Sequence, residues 1–118
     1  MKIKTTELQR AALNWAVAKC EGQGAGDWWL RNWLSPNQDI RLVMQISYSP
    51  SINWSQGGPI IEREKINLEW SRLWDGWLAP DKRNAATSFL GPTPLIAAMR
   101  CYVASKLGDE VDVPEELL

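Results

Sequence analysis

Histidine is absent from this chain of 118 residues. Imidazole is the commonest general base in enzymes and the commonest metal ligand, so the usual proton-transfer and metal-binding arrangements are excluded. The sequence also contains no Walker phosphate-binding loop, no GxGxxG, no GxSxG and no CxxC motif. We therefore expect a protein that is not an enzyme, with no metal site and no cofactor.

An excess of charge of one sign and long apolar runs are missing too. The 13 lysines and arginines nearly balance the 14 aspartates and glutamates, which leaves a formal net charge of −1. Non-specific binding to nucleic acid or to an anionic membrane needs a basic surface, so we expect neither. No apolar run approaches the ~20 residues of a membrane span, and residues 1–9 lack the apolar core of a signal peptide.

Cysteine is also scarce, since the chain has only Cys20 and Cys101. The two residues fall in separate predicted helices of a chain that shows no export signal. We therefore expect two buried free thiols and no disulfide.

Tryptophan, by contrast, is abundant, with eight residues in the chain. A core of this size rarely needs so many, because a buried indole N–H requires a hydrogen-bond partner. Trp28, Trp29 and Trp33 would place indoles on both faces of one predicted strand. Several indoles should therefore line a cleft for a planar ligand such as a nucleobase. The alternative is a tryptophan-rich core with an exposed oligomer interface.

The last third of the chain predicts a helix with complete start and stop signals. Thr93 is a good N-cap, Pro94 suits the first helical position, and Gly108 suits the end. Apolar residues between them recur at helical spacing and predict one broad buried face: Ile96, Met99, Val103 and Leu107.

The first half predicts one helix and a hairpin. Residues 6–22 form the helix, in which Thr6 and Gln9 fit a capping box. Residues 27–34 and 40–47 predict two strands, the second from the alternation of apolar and polar residues.

The middle predicts a second helix and a second hairpin. The helix runs from Ser51 to about residue 64 and should be broken at residues 57–59, which are Gly-Gly-Pro. Residues 66–71 and those after Asp75-Gly76 predict antiparallel strands. The spacing of tryptophans in residues 70–77 also fits a helix. Residues 81–90 predict a polar loop.

The expected fold is α+β, a four-stranded mostly antiparallel sheet with three helices in the order α-β-β-α-β-β-α.

Three segments resemble the NinX-like proteins of tailed bacteriophages. They are KIKTTELQRAALNWAVAKCEG, YSPSINWSQGGPIIERE and GPTPLIAAMRCYVASKLGDEV. The resemblance implies a single NinX-like domain over residues 1–118, a phage gene product in the cytoplasm of the infected bacterial host, and a small α+β phage fold. It implies no particular reaction or ligand.

Two predicted helix starts are candidate phosphate sites, because free N–H groups and the helix dipole attract anions. Trp54 would stack on a planar ligand, and Arg83, Lys82 and Arg100 are sources of positive charge, although Arg100 also fits the solvated side of its helix. The expected ligand-binding residues are Tyr48, Ser49, Ser51, Trp54, Arg83, Gly91 and Thr93.

Carboxylates are the other candidate chemical groups: Glu62, Glu64, Glu69 and Asp75. No specific spacing pairs them, so solvated surface residues are the simpler interpretation.

We expect a non-enzymatic phage protein that sequesters a small nucleotide-like signalling molecule of the host, as a counter-defence. The alternative is an adaptor or inhibitor that acts on a host enzyme through exposed tryptophans. Surplus apolar surface also predicts a homo-oligomer.

Overall fold

A computed structural model describes residues 1–22 and 43–118. The regular elements, in chain order, are β1 (Lys2–Lys4), α1 (Arg10–Glu21), α2 (Trp54–Glu64), β2 (Glu69–Ser71), β3 (Gly76–Pro80), β4 (Ser88–Gly91), α3 (Pro94–Leu107) and β5 (Glu110–Asp112). Short 3-10 turns cover Thr5–Glu7 and Glu115–Leu117, and a π-helical turn covers Val43–Ser47. The predicted strand at residues 27–34, with its three tryptophans, lies outside the described residues.

The described strands form two antiparallel sheets. One has the order β2-β3-β4, and the other pairs β1 with β5. The α+β class is therefore confirmed, but the expected single four-stranded sheet is wrong. The predicted polar loop of residues 81–90 is wrong at its end, because Ser88–Gly91 form β4. Phe89 in this strand is buried, and the strand packs on α3.

Helix α3 is the centre of the core and confirms the prediction for residues 93–108. The Thr93 Oγ1 atom accepts a hydrogen bond from the Ile96 N–H at 3.2 Å, and Gly108 ends the helix with a positive φ of 88°. Met99 and Val103 are fully buried. The helix packs on β3, β4, α1 and α2, so it supports every other part of the described core.

Helix α1 begins at Arg10, and the predicted capping box is wrong. Gln9 is the N-cap residue and makes no side-chain cap hydrogen bond. The residues before α1 are bound to the end of α3. The Thr5 hydroxyl donates to the Gly108 carbonyl at 2.7 Å, and the Thr5 N–H donates to the Asp109 carbonyl. A contact between the two ends of the chain therefore overrides the local capping signal.

The predicted strand at residues 40–47 is wrong for the part that the structure describes. Val43–Ser47 is a π-helical turn in which the neighbours Val43 and Met44 are both buried, and Ile46 is exposed. The Met44 carbonyl accepts a hydrogen bond from Asn14 Nδ2 at 2.6 Å. This bond to α1 takes the place of a strand partner.

Helix α2 is continuous and starts later than predicted. Asn53, not Ser51, caps it, since the Asn53 side chain accepts from the Ser55 N–H at 2.9 Å. Pro59 lies inside the helix. Proline removes one backbone hydrogen bond from a helix, and the second turn of α2 accommodates that loss without a break.

The second hairpin is confirmed, and the strand interpretation of residues 69–80 is correct. Trp70 lies opposite Trp77 in the antiparallel pairing of β2 and β3. Their rings make an edge-to-face contact with centroids 5.7 Å apart. Asp75 has a positive φ of 50°, as the turn before Gly76 requires.

Cys20 and Cys101 are free and buried, as predicted. Burial raises the pKa of the Cys20 thiol to about 12, which keeps it protonated at neutral pH. Among the described helices, none has the length and apolar character needed to cross a bilayer.

Candidate functional site

The segment before α2 was predicted to offer free N–H groups to a phosphate. The Ser49 N–H instead donates to Gln56 Oε1 at 2.7 Å, and the Ser51 N–H donates to Asn14 Oδ1 at 3.1 Å. Both serines are buried. Two of the expected anion donors are therefore already satisfied within the protein.

The structure does bring this segment and the start of α3 together, and it does so by close packing. A Cβ added to Gly57 would lie 2.4 Å from the Pro50 carbonyl oxygen and 2.6 Å from Leu95 Cδ2. A Cβ added to Gly91 would lie 2.5 Å from the Ala97 nitrogen. These glycines are explained by the tight contact of neighbouring elements, without a ligand.

The remaining predicted residues of this region differ in exposure. Trp54 is 56% exposed, so its indole is accessible to a partner. The Thr93 hydroxyl oxygen is occupied by its capping bond. Tyr48 is half-buried, and burial together with the neighbouring Glu21 raises the pKa of its hydroxyl.

Arg83 lies at the opposite end of α3 from Thr93. Its guanidinium donates to Asp81 at 2.9 Å and to Asp109 at 2.7 Å, and Asp109 follows the end of α3. A helix of 14 residues is about 21 Å long, so Arg83 does not join the other predicted residues. The hydrogen bonds from the Arg83 guanidinium lower the pKa of the Asp81 carboxyl group.

A groove beside β4 contains Arg100, which the sequence suggested as a source of positive charge but not as a ligand-binding residue. The groove has a volume of about 460 Å³ and is lined by Thr6, Asp75, Gly76, Ser88, Leu90, Gly91, Pro92 and Arg100. Arg100 is half-buried, which corrects the interpretation that it lies on the solvated side of α3. Its Nε donates to the Leu8 carbonyl at 2.9 Å, and its Nη1 donates to the Leu90 carbonyl at 2.8 Å.

The charge of Arg100 is not neutralised within the described residues. No carboxylate of residues 1–22 or 43–118 lies within ion-pair distance of this guanidinium, and its Nη2 has no hydrogen-bond partner there. Burial lowers the pKa of the Arg100 side chain, as expected for a cation that loses solvent without gaining an anion.

An aromatic depression adjoins this groove. It is lined by Trp74, Leu78, Ala86, Ser88 and Leu90, so it shares Ser88 and Leu90 with the Arg100 groove. Trp74 is 63% exposed at the hairpin turn. Leu78 and Leu90 face each other across β3 and β4 on the side away from the buried Ala79 and Phe89. An indole and a guanidinium therefore border connected surface depressions.

The sequence carried one signal for Arg100. It is the single charged residue in the run from Leu95 to Ala104, and most of its neighbours there are buried. A charge in such a run must reach a polar partner. The partners are backbone carbonyls of distant segments, which residue types alone do not reveal.

The candidate carboxylates form no catalytic cluster in the described part of the chain. Glu64 pairs with Arg63, Lys82 and Lys106, and the Arg63 hydrogen bond lowers its pKa. The described residues contain no group of three histidine, cysteine, aspartate or glutamate side chains that would hold a metal ion.

Fold and surface together define a small α+β protein with a groove of mixed aromatic and cationic character. Residues 4–106 match the family model described as Bacteriophage P22, NinX. The match spans most of the chain, so the protein belongs to this phage family, as its resemblance to NinX-like proteins predicted. A comparison with curated proteins gave no match.

Proposed function

We propose that this protein is a non-enzymatic binding protein that sequesters a small nucleotide-like signalling molecule of the bacterial host during phage infection. The observation that carries the proposal is the β4 groove, which Arg100 lines and which shares Ser88 and Leu90 with the depression beside the exposed Trp74. Among the described residues, Arg100 Nη2 has no hydrogen-bond partner. An indole face supports base stacking, and a guanidinium binds phosphate. Membership of a phage family supports a role in infection.

We propose the β4 groove as the ligand site in preference to the two helix starts. The N–H groups of Ser49 and Ser51 already donate to side chains of the protein, whereas three N–H donors of Arg100 have no partner among the described residues. Gly91 is common to both locations, because it lines the groove and also precedes α3.

Calorimetry and thermal melts with a panel of mono-, di- and cyclic nucleotides test the proposal. A ligand present at 100 times its Kd should stabilise the protein by about 2.7 kcal/mol. Trp74→Ala should weaken binding by ~1–3 kcal/mol, roughly tenfold or more, because a stacking surface is lost.

Trp54→Ala is the matched control, since it removes another exposed indole from a different part of the surface. Its affinity should equal that of the wild type. If Trp54→Ala loses affinity and Trp74→Ala does not, the ligand lies at the start of α2. If the wild type binds no nucleotide of the panel, the sequestration proposal fails.

A second candidate function is an adaptor or inhibitor that binds a host protein through the β2–β3 hairpin. The specific observation is that Leu73 is 86% exposed next to Trp74, with Trp70 half-exposed nearby. Tryptophan is enriched among residues that dominate binding energy at interfaces. Leu73→Ser should abolish association with a purified host partner in sedimentation experiments and leave nucleotide binding unchanged.

We also propose that the protein is a homo-oligomer. Its support is the set of large apolar residues that are exposed in the described chain, which includes Ile46, Ile52, Trp54, Leu73 and Trp74. Large apolar side chains left exposed on one subunit are commonly covered by a second subunit. Light scattering should show a mass above 13.4 kDa at micromolar concentration; a monomer would refute the proposal.

A further inference from the structure

We infer that Arg100 is the anion-binding residue of the β4 groove and that its free guanidinium edge takes a phosphate or diphosphate group. This inference deepens the proposed function and rests on it, because it names the part of the nucleotide-like ligand that the groove recognises. Inorganic pyrophosphate contains the same diphosphate group, so the site can be tested without the natural ligand.

The guanidinium is held in one orientation before any ligand arrives. Nε donates to the Leu8 carbonyl and Nη1 donates to the Leu90 carbonyl, so two different segments of the chain hold the guanidinium. A guanidinium has five N–H donors, so these two bonds leave three, including both donors of Nη2. Little side-chain entropy remains to be lost when an anion binds.

The electrostatic setting distinguishes this arginine from two others. Arg63 pairs with Glu21 and Glu64, and Arg83 pairs with Asp81 and Asp109. Neutral carbonyl oxygens are the only partners of Arg100 among the described residues. A half-buried cation without an anion gains more from a phosphate than a solvated or paired one does, because the surroundings screen it less.

Strand β4 adds a second donor to the same side of the groove. The Leu90 carbonyl faces Arg100, so it points away from β3. In an antiparallel pair, a residue whose carbonyl points away from its partner strand also points its N–H away. The Leu90 N–H therefore lies on the open edge of β4, beside the guanidinium.

One carboxylate opposes anion binding in this groove. Asp75 lines the groove and is exposed, and it is not within ion-pair distance of Arg100. Its negative charge should weaken phosphate binding by about twofold through solvent, since a unit charge several ångströms away is strongly screened. Asp75→Asn keeps a residue type that tolerates the positive φ of this position.

The test is an NMR titration of the whole wild-type protein with sodium pyrophosphate, with sodium chloride at equal ionic strength as the control. The Arg100 side-chain Nε–H and the Leu90 backbone amide should shift with one saturable curve. The side-chain signals of Arg63 and Arg83 should stay in place as internal controls. Equal shifts at all three arginines, or none at Arg100, would overturn the inference.

Two variants refine the test. Arg100→Lys should bind pyrophosphate at least about tenfold more weakly, because an ammonium does not reproduce the fork of donors. A thermal melt reports any loss of the Leu8 and Leu90 contacts in that variant. Asp75→Asn touches none of those contacts and should bind about twofold more tightly. Unchanged affinity in both variants would overturn the inference.

The outcomes separate this inference from the proposed function. If pyrophosphate shifts Arg100 but no nucleotide binds more tightly than pyrophosphate, the anion site stands and nucleotide sequestration fails. If a nucleotide binds in a Trp74-dependent manner and Arg100 does not respond, the sequestration stands and the anion site fails.

Discussion

The segment before α2 and the groove beside β4 differ in how well the sequence predicts their role. The first has a distinctive sequence, YSPSINWSQGGP. Its polar groups form hydrogen bonds within the protein, and Gly57 is closely packed. The second has no recognisable motif, and there an indole is exposed and a guanidinium has no carboxylate partner among the described residues. A distinctive motif can therefore reflect close packing, while the groups available for binding are brought together from distant segments.

Helix α3 supports both regions, so its removal should have the largest effect. Leu95 lies close to Gly57 of α2, and Arg100 lines the groove beside β4. A chain of residues 1–90 loses Met99 and Val103 from the core as well, and each such loss costs ~2–5 kcal/mol. With the other buried residues of α3, among them Leu95, Cys101 and Tyr102, the loss is comparable to the whole stability of a typical domain, ~5–15 kcal/mol. Circular dichroism should show no cooperative melt; a cooperative melt would contradict the central role of α3.

Adjacent glycines in α2 provide a sharper comparison. Gly57→Ala should destabilise by about 1–3 kcal/mol, because its Cβ would clash with the Pro50 carbonyl and Leu95. Gly58→Ala is the matched control, since the nearest atom to its Cβ would be Trp54 Cε3 at an ordinary 3.8 Å. That variant should gain about 0.5–1 kcal/mol from helix propensity. Equal melting temperatures for the two variants would show that Gly57 is not a packing residue.

Asp81→Asn tests whether Arg83 belongs to the packed scaffold. Breaking the pair should cost about 1–2 kcal/mol at neutral pH, a value discounted for the exposure of Arg83. Because Arg83 lowers the pKa of the folded Asp81, the pair stabilises the protein above the unfolded pKa of about 3.9, and this stability is lost as pH falls through the lowered value. Denaturant melts between pH 2 and 7 should therefore converge for variant and wild type at low pH. A constant difference would contradict the assignment.

Trp54→Ala should have the smallest effect on stability, under about 1 kcal/mol, because more than half of the side chain is already in solvent. Phe89→Ala is the comparison, since that ring is buried, and it should cost ~3–5 kcal/mol. Urea melts of the two variants measure the difference. A large loss for Trp54→Ala would mean that its indole is part of the packing of the segment before α2.

The parts of the fold that sequence predicted correctly are those set by nearby residues. Thr93, Pro94 and Gly108 bound α3 as their types indicate. Residues 72–75 join β2 to β3, so the predicted hairpin turns at Asp75, directly before Gly76. The wrong predictions involve partners far along the chain. Thr5 bonds the end of α3 instead of allowing a capping box, and Met44 bonds Asn14 instead of a neighbouring strand.

The candidate site was harder to predict for the same reason. Arg100 is oriented by a carbonyl 92 residues away in the chain and by another 10 residues away. No local spacing encodes that arrangement. The sequence did indicate that tryptophans would remain exposed, which Trp54, Trp70 and Trp74 confirm.

The pairing of β1 with β5 also constrains the order of folding. Lys2 lies opposite Asp112, and Lys4 lies opposite Glu110, so this sheet closes a loop of nearly the entire chain. Closing so long a loop is slow compared with forming a helix or a hairpin, because the entropy must be lost before the strands pair. During synthesis, β1 is made well before residues 110–112, so its β5 partner is absent until then. We therefore expect the helices and the three-stranded sheet to form before β1 pairs with β5.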